Sequence, residues 1–257
     1  MSLRSLFILP FLLPVLCQAD SSLTYANALL PGSETIIQVK DGDVLMGDRE
    51  SKILFKSGKD ELVIIDHPTR TYMIMDEETA KRLEQQMSAA QQQMSAMMAQ
   101  MQEQMKDMSE EQRAQMQQMM ESRMASGGAK IAVKTTVQKK GEDTVAGVSC
   151  TNMMILANGK PSGEVCVAQA GVLGLDTADY HSMVNATDTV RRLMERVTGR
   201  DDNDTVSMNM RVMKGIPVRM RDLMDGDVST LTSRSSVDLD AGMFRVPDGY
   251  QKRDMLQ

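Results

Sequence analysis

From residue 37 onward, apolar and polar side chains alternate in short runs. Ile37 and Val39, Val44 and Met46, Ile53 and Phe55, Val63 and Ile65, and Tyr72 and Ile74 each fall two positions apart, with polar neighbours. Asp41-Gly42, Ser57-Gly58 and His67-Pro68 punctuate these runs. Successive side chains of a strand point to opposite faces, so the pattern predicts an antiparallel meander with one buried face. After Ser126-Gly127-Gly128 the alternation restarts with Ile131, Val133, Thr135 and Val137. It continues with Ile216, Val218 and Met220, and a further strand is expected around residues 228–237. The expected total is about eight to ten strands.

Two segments break this period. Residues 76–125 contain no Pro or Gly, and eleven of the chain's 26 methionines fall between Met87 and Met124, among Gln, Ala, Ser and charged residues. Met, Ala, Gln and Glu are strong helix formers, so a long helical insert is predicted. Ala80, Leu83, Met87, Ala90, Met94, Met97 and Met101 recur at three-then-four spacing, a coiled-coil-like seam. Uninterrupted, a helix over residues 76–107 would be roughly 48 Å long. Ser109-Glu110-Glu111-Gln112 has the form of a capping box, which predicts a break near Asp107 and a returning helix carrying Met116, Met119, Met120 and Met124. A second helix fits residues 176–198. Tyr180, Met183, Val184, Thr187, Val190, Met194 and Val197 share one face of it, and Gly199 is placed as its C-cap.

The first nineteen residues read as an export signal. Arg4 supplies the positive start, residues 6–16 the apolar core, and Cys17-Gln18-Ala19 a small-residue cleavage site, so cleavage is expected after Ala19. Lipidation of Cys17 is the lesser reading, because Leu16 stands where a small residue is preferred. No later stretch approaches the length of a transmembrane helix. Residues 20–257 are expected to form a single periplasmic domain.

Two cysteines remain, Cys150 and Cys166, on strand-like runs joined by residues 157–162. In an oxidising compartment a bridge is expected, with an odd-length loop centred on Asn158 placing the sulfurs directly across a hairpin. They lack the C-x-x-C spacing of a redox pair. The chain has 29 Lys and Arg against 35 Asp and Glu, with 4 Phe, 4 Tyr and no Trp. Nucleic-acid binding is therefore disfavoured. Asp201-Asp202-Asn203-Asp204 lacks the Gly and distal Glu of an EF-hand and reads as a solvated turn.

Enzyme signatures are absent: no G-x-S-x-G, P-loop, G-x-G-x-x-G or H-E-x-x-H occurs. His67 and His181, the two histidines, fall at a turn and beside Tyr180. The expectation is a non-enzymatic protein without cofactor. The methionines admit three roles. The first is packing alone, since Met is flexible and fills irregular gaps. The second is a soft surface for an acyl chain or a partner's apolar segment, for which Met87, Met94, Met97, Met98, Met101, Met105, Met116 and Met120 are the candidate contacts. The third is thioether ligation of Cu(I) or Ag(I), for which Met97, Met98, Met101, Met105 and Met108 are the candidates.

Three elements together carry a family resemblance: Thr71-Tyr72-Met73-Ile74-Met75, the Met/Gln-rich insert with Ser109-Glu110-Glu111-Gln112-Arg113, and the closing Phe244-Arg245-Val246-Pro247-Asp248-Gly249-Tyr250. The chain resembles a bacterial family of exported domains of unknown function, itself similar in fold to the periplasmic lipoprotein carriers (LolA/LolB-like). The resemblance implies an α+β fold: a curved antiparallel sheet forming an incomplete β-barrel, with the Met-rich helical insert 76–125 and a second helix on its concave face. It also implies a carrier-like role, binding a lipid, an acyl chain or an apolar or lipidated protein segment, with peripheral membrane contact. A structural coiled coil that pairs subunits through the insert is the remaining alternative.

Overall fold

Among the described residues, twelve strands form the body of the protein. In the computed structural model, residues 20–30, 32–105, 134–198 and 210–255 are described, with backbone only for residues 91, 101–105, 198 and 211. The first meander comprises β1 (Asp20–Asn27), β2 (Glu34–Lys40), β3 (Asp43–Gly47), β4 (Ser51–Lys56), β5 (Glu61–Asp66) and β6 (Thr71–Met75). The second comprises β7 (Thr135–Val145), β8 (Val148–Ala157), β9 (Lys160–Ala168), β10 (Ile216–Asp222) and β11 (Val228–Val237). A two-residue β12 (Gln251–Lys252) lies parallel to β6, and every other pairing is antiparallel. The two meanders join where β1 pairs with β11, giving one sheet in the order β12-β6-β5-β4-β3-β2-β1-β11-β10-β9-β8-β7. The sheet is curved and does not close.

Tight turns set its register. Asp41-Gly42, Ala146-Gly147 and Asn158-Gly159 all have positive φ, as two-residue turns matched to strand twist require. Gly47 is demanded by space as well: at φ +147° a Cβ would stand 2.2 Å from the Ser51 carbonyl oxygen.

Helix α1 (Glu77–Met105) starts at Asp76, whose carboxylate accepts a 2.8 Å hydrogen bond from the Thr79 N–H. That bond, before lesser contributions, holds the Asp76 carboxyl below its ordinary range. Helix α2 (Thr177–Thr198) starts in the same way, with Asp176 accepting from the Asp179 N–H at 2.7 Å. Near its start α1 packs on α2, burying Ala80 completely and Leu83 in part. Arg196 of α2 pairs there with Glu77 and Glu84.

The larger core lies between α2 and the inner face of the sheet, with Leu23, Val39, Val44, Phe55, Met183, Leu193 and Ile216 among its members. On the outer face, Leu45, Leu54, Val63 and Ile65 are covered by the C-terminal segment through Leu239, Phe244, Val246 and Tyr250. The Tyr250 hydroxyl lies 2.8 Å from His67 Nδ1, and Arg70 stands 6.0 Å from the Tyr250 ring centre. The closing Phe-x-Val-Pro-x-Gly-Tyr is thus a strap that carries the chain to the β6 edge.

Three expectations are revised, and one strand extends beyond the residues named for it. The described strands exceed the expected eight to ten; β1 is one of those the alternation did not flag. On α2, Met194 is exposed at 41%, whereas Leu193 and Ala186 are buried. The β7 strand continues through Lys139-Lys140-Gly141-Glu142-Asp143, with an irregularity at Gly141. Cys150 and Cys166 are bridged, with Cα atoms 5.5 Å apart, but not directly across the ladder. The turn is the two-residue Asn158-Gly159, and a register shift at Ile155/Leu156 sets Cys166 opposite Asn152, so the bridge runs diagonally. The Ser162 hydroxyl donates to the Ile155 carbonyl at that shift.

The expected export signal, residues 106–133 with Met108, Met116, Met119, Met120 and Met124, the Gly199 cap and the Asp201–Asp204 turn lie outside the described residues.

A methionine-walled apolar cavity under helix α2

The inner face does not pack solidly against α2. A partly open cavity of about 160 Å³ remains between them. Its helical wall is made by Met183, Ala186, Thr187 and Val190, whose i, i+3, i+4, i+7 spacing follows from the 3.6-residue helical period. The strand wall is made by Ile37 of β2, Val44 and Met46 of β3, Ile53 and Phe55 of β4, and Leu62 of β5. Each pair on a strand is two residues apart, so both members face inward. Tyr25, Thr35 and Ser229 contribute from β1, β2 and β11, and Pro217 and Met220 from β10. Met210 closes one side from a short helix, α3 (Met210–Met213).

The cavity sits beside a seam in the sheet. β10 and β11 pair over three rows only, Arg219 with Thr230, Met220 with Ser229 and Arg221 with Val228, and β11 then continues along β1. Pro217 has no N–H to give to a ladder, and the register of β10 on β9 shifts just after it. The Pro217 carbonyl is met instead by the Tyr25 hydroxyl, which donates at 2.9 Å from a side chain only 4% exposed. Burial pushes the Tyr25 phenol well above its ordinary value, so it remains a neutral donor.

The walls offer little polar chemistry. Among the described residues, none that lines the cavity is charged. Tyr25 spends its hydrogen on Pro217, and the Thr187 hydroxyl donates into its own helix, to the Met183 and Val184 carbonyls. Thr35 and Ser229 add the other two hydroxyls. The described walls are therefore predominantly apolar, with hydroxyls as their only side-chain polar groups. Elsewhere, Asp179 is half-buried and its carboxyl is raised, chiefly by desolvation, with Ser21 donating to it and Asp176 and Asp20 nearby. Among the described residues no group of three His, Cys, Asp or Glu side chains is placed to hold a metal ion. His67 contacts Tyr250, and His181 stands beside Tyr180 on α2.

Of the methionines proposed from the sequence as ligand contacts, the described Met87, Met94, Met97 and Met98 do not line this cavity. Met87, Met94 and Met97 of α1 are 50%, 60% and 60% exposed, and Met98 is half-buried. Beyond Leu83 the helix turns no described large side chain into the core, because its body-facing contacts are confined to its first turns. The side chains of Met101 and Met105, and all of Met108, Met116 and Met120, are outside the described residues, so the proposed Cu(I) set is represented by Met97 and Met98 alone. The cavity's own methionines, Met46, Met183, Met210 and Met220, come from four different elements. Their inward placement on strands or on α2 was readable for Met46, Met183 and Met220. Tyr25, Thr35, Ala186, Pro217 and Ser229 had no distinguishing signal, since nothing local marks a gap between two packed layers.

The sequence profile of a family described as Domain of unknown function (DUF4412) matches residues 77–250, from the start of α1 to the strap. No curated protein matches the chain. Among solved structures, the chain is similar to an uncharacterized conserved protein from Thermus thermophilus, with a TM-score of 0.42 and 8% identity over 92% of this chain and 91% of that one. It is also similar to MucB, with a TM-score of 0.34 and 10% identity over 91% of this chain. The match spans 59% of the MucB chain.

Proposed function

The chain belongs to the family described as Domain of unknown function (DUF4412), a description that names no activity, and from its cavity we propose that it is a non-enzymatic, exported binding protein for a hydrophobic ligand. The single observation that carries this reading is the cavity of about 160 Å³ with no charged residue in its described walls. A well-packed core leaves few voids larger than a water molecule. Apolar cavities of about 150 Å³ stay dry and take up a benzene-sized molecule. A lipid, an acyl chain or an apolar side chain of a partner protein would gain by leaving water for such walls. The four cavity methionines suit this role, because unbranched thioether side chains repack around guests of different shape.

Export is supported by one feature, and the expected cleavage is compatible with a second. The Cys150–Cys166 bridge belongs to an oxidising compartment. Cleavage after Ala19 would leave β1 whole, with Asp20 still paired to Lys40 and accepting from the Leu239 N–H.

The test is native mass spectrometry of the gently purified protein and of an Ala186→Phe variant. Ala186 sits in the helical wall, and the added ring occupies the space a guest would need. An apolar adduct present in the parent and lost in the variant is expected. The same adduct on both proteins would refute the site. N-terminal sequencing of the exported protein should read Asp20-Ser21-Ser22, and any other start would refute the cleavage position.

A second reading concerns α1. Met87, Met94 and Met97 are exposed on a helix in which residues 85–102 carry no charge. An uncharged stripe of this kind favours contact with another apolar helix, including that of a second subunit. Sedimentation showing only monomer at high concentration would remove the second-subunit version.

A further inference from the structure

Resting on the binding reading above, we infer that the cavity takes the end of one short, uncharged chain or a single ring, and turns away ligands with an anionic head group.

Size sets the first half. At about 160 Å³ the space is close to that which holds one benzene, far below what a two-chain lipid requires. Affinity for a linear series should therefore rise by about fourfold per added methylene, the equivalent of burying one CH₂. It should level off near six carbons, since further methylenes remain in water.

Charge sets the second half. A carboxylate or phosphate at the mouth needs a cation or several free donors to replace its water. The described cavity walls contain no Lys, Arg or His. Among the described cations adjacent in sequence to lining residues, Arg191 pairs with Glu195 at 3.1 Å, Arg219 with Asp143 at 2.7 Å, Arg221 with Glu164 at 4.0 Å and Lys56 with Asp43, and Lys52 alternates with the inward-facing Ile53. An anionic head there loses its water with no counter-charge in the described walls, whereas a hydroxyl head has a far smaller desolvation cost.

The methionines make the test direct. In protein labelled with ¹³C at the methionine methyls, Met46, Met183, Met210 and Met220 report on the cavity, and Met87, Met94 and Met97 on the exposed face of α1. Titrations with n-hexanol and hexanoate at pH 7 and low salt should shift the cavity methyls, with hexanoate at least tenfold weaker. The gap should close as the pH falls below the carboxylic acid's own pKa. Affinity across butanol, hexanol, octanol and decanol should plateau after hexanol. Equal or tighter binding of hexanoate overturns the charge exclusion, and affinity still climbing to decanol overturns the size limit; both results leave apolar binding itself intact. Shifts confined to the α1 methyls, or to none, overturn the binding reading and this inference with it.

Discussion

Replacing Tyr25 with Phe tests the seam beside the cavity. The substitution removes one oxygen and nothing else from a side chain that is 4% exposed, so packing is preserved. What is lost is the 2.9 Å hydrogen bond to the Pro217 carbonyl. A typical hydrogen bond contributes about 0.5–1.5 kcal/mol net, and leaving a buried partner unsatisfied costs about 1–3 kcal/mol. The cavity alongside could admit a water to the carbonyl, which places the expected loss at about 1–2 kcal/mol. For a chain of this length that is a fall in Tm of roughly 3–6 °C. Urea unfolding followed by far-UV circular dichroism, with the disulfide intact, measures it. The pH dependence adds a sharper criterion. Because burial raises the phenol's pKa in the folded protein, the folded state holds its proton more tightly than the unfolded state. The parent's advantage is therefore fully present below about pH 10, the ordinary tyrosine value, and is lost as pH rises beyond it. The two proteins should converge in alkali. A loss below about 0.3 kcal/mol at pH 7, or a gap that widens above pH 10, would refute this account of the seam.

Two further outcomes follow from the same structure. Changing both Cys150 and Cys166 to Ala should cost about 3 kcal/mol, from the unfolded-chain entropy restored when a 16-residue separation is no longer closed; thermal unfolding with and without reductant measures it, and a parent insensitive to reductant would contradict the bridge. At the start of α1, Asp76→Asn keeps a capping oxygen but removes a charge whose pKa is lowered by the Thr79 N–H. A lowered carboxylate stabilises above its unfolded pKa and ceases to do so as pH falls through its folded one. The variant should thus be less stable by up to about 1 kcal/mol at pH 7 and approach the parent as pH falls through the lowered carboxyl pKa of the folded protein, as denaturant melts across acid and neutral pH would report.

The first meander was legible because its alternation is a direct consequence of strand geometry. Val39, Val44, Phe55 and Leu62 face one side and Leu45, Leu54 and Val63 the other, and the register slips nowhere between β2 and β6. β1 was harder to see. Its inward pair, Leu23 and Tyr25, is set among Ser, Thr and Asn directly after the apolar export-like run. The disulfide was predictable from composition and spacing, but its diagonal geometry was not. That depends on the shift at Ile155/Leu156, which no residue type announces. The cavity was least legible. Residues such as Met46, Met183 and Val190 carry the same inward signal whether the layers meet or leave a gap, because a void is a property of summed volumes across Ile37, Phe55 and α2 rather than of any one position.

Two groups of described methionines have opposite surroundings. Met87, Met94 and Met97 lie on an uncharged helical face turned to solvent, where thioether flexibility has no core to fill. Met46, Met183, Met210 and Met220 converge from β3, α2, α3 and β10 on one space that they do not fill. Dense clustering along the chain marked the first set, yet convergence in space is what makes a site, and the second set achieves it from positions up to 174 residues apart. If flexible side chains were needed only to fill the inner core, their freedom would be used up in closing the gap beneath α2. A gap retained beside four such side chains, with every described wall uncharged and the Tyr25 hydroxyl already committed to Pro217, is the observation on which the proposed guest rests, and loss of an apolar adduct in Ala186→Phe is what separates it from packing.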